Sequence, residues 1–307
     1  MGNTSKVVIG VPVYNGENYL FEALSSILNQ TLTDFRVIIS DNASIDATPE
    51  ICQEFVERDS RFTYHRQAEN IGGAPNFNFV FQPGDAPYFK WAAHDDVMEP
   101  DYLRKCVDLL DQNPALALVH SLSLKIDEAG GVIGNYDQQM RLSGERISER
   151  FWKILWVGHF TEVFGLMRSD MIARTRMHQS IVGSDRHFMA EMILQGDVGY
   201  VWDYLFQRRH HAASFCNALK DNKERLQWFD PNSKAPTVLA SPRKTKEYAD
   251  SIFRTPMPWY ERVDCLKVLA AWTGQRTIGS LFRRGNSRRQ KLIKAQREKS
   301  EVLTQVR

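Results

Sequence analysis

Two adjacent acidic residues, Asp95 and Asp96, follow a short apolar segment and are suited to binding a cation. The segment, residues 88–93, has the length and aromatic content of a buried strand. Adjacent carboxylates at the end of a buried strand are costly unless a positive charge lies beside them. A divalent cation that carries a phosphate-bearing substrate is one explanation for the pair. The alternative is a solvated acidic turn in front of the next predicted helix, residues 101–111.

Strand and helix patterns alternate through the first hundred residues, which predicts a parallel sheet with helices packed on its faces. The predicted strands are residues 6–13, 35–40, 62–65 and 88–93, with helices between them that begin at Leu20, at Thr48 as N-cap before Pro49, and near Pro75. Further strands are predicted at residues 116–124, 162–167 and 198–202, an amphipathic aromatic segment at 147–157, and helices from Asp185, at 244–253 and at 259–272.

Polar or turn-forming residues follow each of the first four predicted strands. They are Pro12, Tyr14 and Glu17 after the first, Asp41 after the second, Asn70 and Gly72 after the third, and His94, Asp95 and Asp96 after the fourth. The carboxyl ends of parallel strands meet at one edge of a sheet, which is where open α/β folds bind ligands. Turn formation explains each residue taken alone, whereas their shared edge predicts one binding site.

The charge of the chain is divided unevenly between its body and its tail. The 307 residues carry a formal net charge of +2. From Arg276 to Arg307, ten Lys or Arg residues stand against Glu298 and Glu301, a local charge of +8, so the remaining residues sum to −6. A mildly acidic body argues against nucleic-acid binding. The basic tail is predicted either to make a peripheral contact with an anionic membrane or to be solvated or oligomer-forming.

Several common motifs are absent from the sequence. The four cysteines include no C-x-x-C pair, which disfavours a cysteine zinc site. No G-x-G-x-x-G follows the first strand and no P-loop motif occurs, so a dinucleotide-binding fold and a P-loop are both unsupported. The polar start of the chain and the lack of a long apolar run predict a cytoplasmic protein, peripheral at the inner membrane face if the tail binds lipid.

Residues 8–103 resemble the nucleotide-sugar half of a family 2 glycosyltransferase of the GT-A fold. The matching segments are VIGVPVYNGENYLFEALSSILNQT, VIISDNASID, NIGGAPNFN and HDDVMEPDYL, and a weaker likeness runs from Gly183 to His211. The resemblance implies a Rossmann-like α/β fold with a mostly parallel central sheet flanked by helices. It also implies a glycosyltransferase domain over residues 1–215, with nucleotide-sugar (1–103) and acceptor (104–215) halves, and a helical extension with a basic tail over 216–307.

The resemblance assigns nucleotide-binding roles to Pro12, Tyr14, Glu17, Asp41, Asn70, Gly72, His94, Asp95 and Arg209. Asp41 is expected to accept a hydrogen bond from the imide N–H of uracil or thymine, and Arg209 to offset phosphate charge. Asp95, Asp96 and His211 are expected to hold Mn²⁺ or Mg²⁺ at the diphosphate. One departure is Ala93, where the D-x-D motif of the family has its first carboxylate. Either His94 or a water molecule replaces that contact, or metal binding is weak.

Asp185 is the candidate for the catalytic base, because Gly183-Ser184-Asp185 at a predicted helix start resembles the base segment of the family. An inverting transfer needs a carboxylate that takes the proton of the acceptor hydroxyl. Asp170 and Glu191 are competing candidates. The alternative for Asp185 is an acidic residue that merely favours the helix dipole.

The resulting hypothesis is an inverting, metal-dependent glycosyltransferase. It moves a sugar from a nucleoside-diphosphate sugar, UDP or dTDP favoured, to a hydroxyl of a glycan or lipid-linked acceptor in polysaccharide or glycolipid synthesis. The hypothesis requires that Asp41, Asp95 and Asp185 open onto one cleft. A sugar-phosphate nucleotidyltransferase is disfavoured, since the loop after the first strand has one glycine and no arginine. A non-catalytic nucleotide-sugar-binding protein is the other alternative.

Overall fold

The computed structural model describes residues 5–136, 142–212, 214, 221–229, 231 and 240–276. The basic tail after Arg276, and with it the predicted membrane contact, lies outside these residues. The described strands are β1 (Val7–Val13), β2 (Phe35–Asp41), β3 (Phe62–Arg66), β4 (Tyr88–Trp91), β5 (Val97–Met98), β6 (Leu116–Ile126), β7 (Val132–Asn135), β8 (Leu166–Arg168) and β9 (Asp197–Arg209). In the described part of the chain no helix is long and apolar enough to span a bilayer.

The helices occupy the connections between these strands and the C-terminal region. They are α1 (Leu20–Leu28), α2 (Thr48–Arg58), α3 (Gly73–Phe79), α4 (Tyr102–Gln112), α5 (Ile147–Trp156), α6 (Ser169–Ile172), α7 (Ser184–Gln195), α8 (Asn222–Phe229), α9 (Ala240–Arg254) and α10 (residues 259–276). A short 3-10 helix covers Glu162–Phe164.

The strands form one mixed sheet in the order β3-β2-β1-β4-β8-β6-β9-β5, with β7 beside β6. Strand β1 pairs in parallel with β2 and β4, and β2 pairs in parallel with β3. All seven residues of β1 are buried, as expected for a central strand covered on both faces. Strands β5 and β8 pair antiparallel to their neighbours. The mostly parallel α/β architecture predicted from the sequence is confirmed.

Two hydrophobic clusters make up the core. One joins β1 and β2 to the apolar stripe of α1, whose buried residues Leu20, Ala23, Leu24 and Ile27 follow helical spacing. The other joins α5 and α7 to side chains of α9 and α10, among them Tyr248, Cys265 and Trp272. The Trp272 indole N–H donates to the Leu155 carbonyl at 3.1 Å. The C-terminal helices therefore share the core of the first 215 residues, while the predicted domain boundary stays a prediction.

Three predicted element boundaries are wrong. Thr48 is the first residue of α2 and Ala47 is the N-cap, because the Thr48 hydroxyl accepts the N–H of Gly16 at 2.8 Å. Residues 162–164 form a 3-10 helix rather than a strand, since the Glu162 carboxylate accepts the Thr161 N–H and turns the chain. Strand β9 continues to Arg209 because it pairs with β6 along most of its length.

Candidate active site

The turns after β1 and β2 are locked together by hydrogen bonds. The Asn15 N–H donates to the Ser44 hydroxyl at 2.9 Å, and the Asn15 side-chain oxygen accepts the Ile45 N–H at 3.0 Å. Asn15 itself has a positive φ of 51°, which asparagine tolerates better than most residues. The Glu17 carboxylate accepts the Ala47 N–H at 3.1 Å. These bonds fix the two turns at the carboxyl edge of the sheet.

The predicted nucleotide-binding residues of the first strand differ in their exposure. Tyr14 is exposed at this edge, with 42% of its surface accessible, whereas Pro12 is buried inside β1. His94 is partly buried and lies against the first turn, since a Cβ on Gly16 would come within 3.1 Å of the His94 ring. Tyr14 and His94 are therefore placed where a ligand at the edge can reach them.

Asp41 does not open onto the cleft, contrary to the sequence-based expectation. Its side chain is fully buried, and it accepts the Ser44 N–H and the Tyr64 hydroxyl, each at 2.8 Å. The Arg66 guanidinium lies 3.5 Å from the same carboxylate. Both oxygens thus satisfy donors of neighbouring segments. The requirement that Asp41, Asp95 and Asp185 share one cleft is therefore not met at Asp41. The function proposed below rests on Asp95, His211 and Asp185, and a contact between Asp41 and a nucleotide base stays a prediction.

The loop after β3 is covered by helix α8, which the sequence analysis does not predict. The Asn70 side-chain oxygen accepts the N–H of Gly72 at 2.9 Å, and Gly72 has a φ of +90°. A Cβ on Gly72 would lie 2.6 Å from the Phe229 carbonyl, and one on Gly73 would lie 2.4 Å from the Trp228 ring. The end of α8 therefore sits on this loop. Weak hydrophobic patterning after Ser214 left no signal that could have predicted the contact.

A carboxylate and an imidazole lie side by side at the end of β4. The His211 Nε2 is 2.9 Å from the Asp95 Oδ2, and 16% of the Asp95 side chain is exposed. Burial alone raises the pKa of Asp95, but the charge of His94 and the hydrogen bond from His211 outweigh it, so the pKa lies below its usual value. The same hydrogen bond raises the pKa of the His211 imidazole. The pair therefore favours the charged forms of both groups.

Asp96 points into the protein, away from the position predicted for a metal ligand. Its carboxylate accepts the Arg209 backbone N–H at 3.0 Å and lines a small internal cavity together with Lys90. Burial, followed by the neighbouring Asp95 charge, raises the pKa of Asp96 to about 7. The two neighbouring carboxylates therefore have different surroundings, because the chain bends at His94 and Asp95 and leaves Asp96 buried against the end of β9.

Arg209 also has a different role from the predicted phosphate contact. Its guanidinium is 1% exposed and donates to the Asp95 carbonyl at 3.0 Å and to the Asp127 carbonyl at 3.2 Å. It also forms an ion pair with Glu22 of α1. Because these partners belong to three separate segments, Arg209 braces the end of β4 and does not face the cleft.

Asp185 lies in the first turn of α7, directly after Ser184 and the N-cap Gly183. It is partly buried, and its Oδ1 accepts the Arg186 N–H at 2.8 Å. The two competing candidates are occupied elsewhere. Glu191 accepts the N–H and the guanidinium of Arg176, each at 2.7 Å, and Asp170 forms an exposed ion pair with Arg174. This arrangement favours Asp185 over both competitors.

Asp95 and His211 are the neighbouring side chains at this edge that could act as ligands of a divalent cation. Within the described ranges, no three His, Cys, Asp or Glu side chains converge into a metal site. Asp95 and His211 nevertheless place an oxygen and a nitrogen ligand side by side, and Mn²⁺ or Mg²⁺ commonly completes its shell with phosphate oxygens and water. His211 would have to release the proton that it shares with Asp95 before both groups could hold a cation beside a diphosphate. The inward-facing Asp96 would not contribute to such a site.

The chain is similar in sequence to known glycosyltransferases. The family model for glycosyl transferase family 2 matches residues 8–175. The putative glycosyltransferase EpsH of Bacillus subtilis is 34% identical over 260 residues, which cover 80% of this chain and 72% of EpsH. The chondroitin synthase of Escherichia coli is 35% identical over 130 residues, 42% of this chain and 19% of the synthase. Glycosyltransferase GlyA of Streptococcus pneumoniae is 39% identical over 98 residues, 32% of this chain and 14% of GlyA.

Solved structures share the fold at low sequence identity. TarS 1-349 of S. aureus, in complex with UDP-GlcNAc, has a TM-score of 0.60 at 14% identity and covers 87% of this chain and 71% of TarS 1-349. The mannosyltransferase PcManGT of Pyrobaculum calidifontis, in complex with GDP-Man and Mn2+, has a TM-score of 0.52 at 16% identity and covers 92% and 81% of the two chains. These neighbours confirm the predicted GT-A type fold.

Proposed function

The chain belongs to glycosyl transferase family 2, and from this premise we propose that it transfers a sugar from a nucleoside-diphosphate sugar to a hydroxyl-bearing glycan or lipid-linked acceptor with inversion. The observation that carries the proposal is the Asp95–His211 pair at the carboxyl end of β4. A carboxylate and an imidazole at this edge suit a diphosphate with its cation. Two structural neighbours of the same fold, TarS 1-349 and PcManGT, are complexes with the nucleotide sugars UDP-GlcNAc and GDP-Man.

In the proposed reaction, the Asp185 carboxylate accepts the proton of the acceptor hydroxyl. The hydroxyl oxygen attacks the anomeric carbon on the face opposite to the diphosphate, so a new glycosidic bond forms with inverted configuration. The bond between the anomeric carbon and the diphosphate oxygen breaks, and the nucleoside diphosphate leaves with the electron pair. A cation held by Asp95 and His211 would stabilise the negative charge of this leaving group.

Other residues hold this arrangement in place. Arg209 fixes the Asp95 backbone through its hydrogen bond to the Asp95 carbonyl. The Tyr19 ring lies 4.8 Å from the His211 ring and 4.8 Å from the Arg209 guanidinium, so it packs against both. We assign Tyr14 and His94 to the nucleotide side of the cleft, because Tyr14 belongs to the turn after β1 and His94 packs against Gly16 of that turn.

The donor is identified by measuring protein melting with UDP, dTDP and GDP, each with and without Mn²⁺, and then the hydrolysis of the matching nucleotide sugars. A ligand at 100 times its dissociation constant stabilises the folded state by about 2.7 kcal/mol, which raises the melting temperature by roughly 4 °C in a protein of 307 residues. We expect such a rise for a uridine or thymidine diphosphate with Mn²⁺. No rise with any of the three, and no hydrolysis of any donor, contradicts the proposed function.

A further inference from the structure

Positive side chains from the C-terminal helices gather beside the start of α7. The Lys244 Nζ lies 3.7 Å from the position that a Cβ on Gly183 would occupy. Burial, followed by repulsion from Arg276 and Arg186, lowers the pKa of the Lys244 ammonium, whereas Asp185 acts in the opposite direction. Lys244 therefore lies within electrostatic reach of both the Asp185 carboxylate and the Arg276 guanidinium.

The three cations are not equally available to a ligand. The Arg186 guanidinium donates to the Ile154 and Val157 carbonyls, each at 2.6 Å, and so ties α7 to the end of α5. Arg276 stacks over the Trp272 ring at 4.8 Å. Among the described residues, Lys244 makes no hydrogen bond and no ion pair, and none joins it to Asp185. The Lys244 charge beside the start of α7 is thus not neutralised by an ion pair with Asp185.

The position of Lys244 is unfavourable for the helix that it approaches. The N-terminus of α7 is the positive end of the helix dipole, where cations destabilise and anions stabilise. A partly buried ammonium at this end is repelled by the dipole of α7. Natural sequences tolerate such a local conflict mainly at functional sites.

A buried polar cluster holds Lys244 in this position. Arg176 donates to Glu191 of α7 and to the Ser251 hydroxyl of α9, each at 2.7 Å. The Ser251 hydroxyl in turn donates to Glu191 at 2.9 Å. Helix α9 is therefore fixed against α7 through fully engaged groups, and the packing of this helix places Lys244 near Gly183 at the start of α7.

We propose that the acceptor carries an anionic group, a carboxylate or a phosphate, which Lys244 and Arg276 bind next to the hydroxyl that Asp185 deprotonates. This inference rests on the proposed function, because it takes Asp185 as the base. An anion at this point is attracted by both cations and by the N-terminus of α7.

The test compares acceptor probes that differ in one charged group. Methyl glucuronide is compared with methyl glucoside, and glycerol 3-phosphate with glycerol, at a fixed saturating donor concentration. The wild-type protein is expected to use one anionic probe with a kcat/KM at least tenfold above that of its neutral partner. A preference for methyl glucuronide indicates that the acceptor carries a carboxylate, and a preference for glycerol 3-phosphate indicates a phosphate.

Substitutions then assign the preference to Lys244. K244Q is expected to reduce the ratio of anionic to neutral kcat/KM about tenfold, while K244R keeps most of it. The matched control is K246Q on the same helix, since Lys246 is exposed and pairs with Asp250; its ratio should stay within twofold of the wild-type ratio. R276Q provides a second variant if K244Q does not fold.

The outcomes separate this inference from the proposed function. Absence of donor binding and of donor hydrolysis in the wild-type protein defeats the proposed function itself. If the donor is hydrolysed but neither anionic probe is preferred, the inference is overturned and the proposed function stands. An unchanged ratio in folded K244Q and R276Q overturns it as well.

Discussion

Replacing Arg209 by methionine is expected to destabilise the protein by about 3 kcal/mol. The guanidinium is 1% exposed and donates to the backbone carbonyls of Asp95, Asp127 and Glu128 at 3.0, 3.2 and 3.3 Å. A hydrogen bond from a charged donor contributes roughly 1.5–3 kcal/mol, and the two longer ones contribute less. The partner Glu22 is 54% exposed, so its ion pair adds at most about 1 kcal/mol. Methionine replaces much of the apolar stem, which limits the loss of packing.

Urea unfolding at 25 °C measures this loss, with Arg208→Met as the matched control. Arg208 is the preceding residue of β9 and is partly exposed, with its guanidinium 5.8 Å from the Tyr136 ring. Its replacement is expected to cost less than about 1 kcal/mol. The Arg209 variant should also lose part of the stabilisation by nucleoside diphosphate and Mn²⁺, because the Asp95 backbone is no longer held. Equal unfolding free energies for the two variants would refute the bracing role.

Two further predictions concern the loop after β3 and the interior near β9. Gly72→Ala should lower the free energy of unfolding by about 2 kcal/mol and weaken donor binding, because the φ of Gly72 is +90° and the added Cβ would displace α8. The control Gly158→Ala, at a position with open space around it, should change the unfolding free energy by less than about 0.5 kcal/mol. A similar effect at both sites contradicts the prediction. Burial raises the pKa of Glu162 to about 7, so the folded state keeps a proton that the unfolded state loses above about pH 4.5, and stability falls as the pH rises from 4.5 to 7. Over this range the wild-type protein should lose about 3 kcal/mol relative to Glu162→Gln; parallel pH profiles from thermal or urea unfolding would show that Glu162 is ionised in the folded state.

Local sequence patterns were sufficient for the part of the fold that carries the nucleotide-sugar half. The β-branched run at β1 predicts a strand by itself, because a fully buried parallel strand has no polar face. The turn residues Asn15 and Gly16 mark its end. Pro49 marked the start of α2 to within one residue. The shared edge of β1, β2 and β4 then follows from parallel pairing, which places Asp95 correctly at the end of β4.

The orientation of individual side chains was beyond the sequence. Strand β9 continues to Arg209, and the backbone N–H of Arg209 donates to the Asp96 carboxylate. The Asp96 and Arg209 side chains are both buried as a result. Asp41 is closed because Tyr64, 23 residues away, donates to it. Lys244 and Trp228 reach the site from helices that follow the weakly patterned region. Such contacts depend on how distant segments pack, which no local pattern encodes.

The most direct test of the whole account is the rate of sugar transfer by Asp185→Asn, compared with Asp170→Asn as a matched acid from the first turn of another helix. Nucleoside-diphosphate release in the presence of acceptor measures the rate, and thermal shift measures donor binding. The account predicts that Asp185→Asn binds the donor normally but transfers sugar roughly 10²–10⁴-fold more slowly, while Asp170→Asn transfers at the wild-type rate. Transfer by Asp185→Asn at the wild-type rate would contradict it.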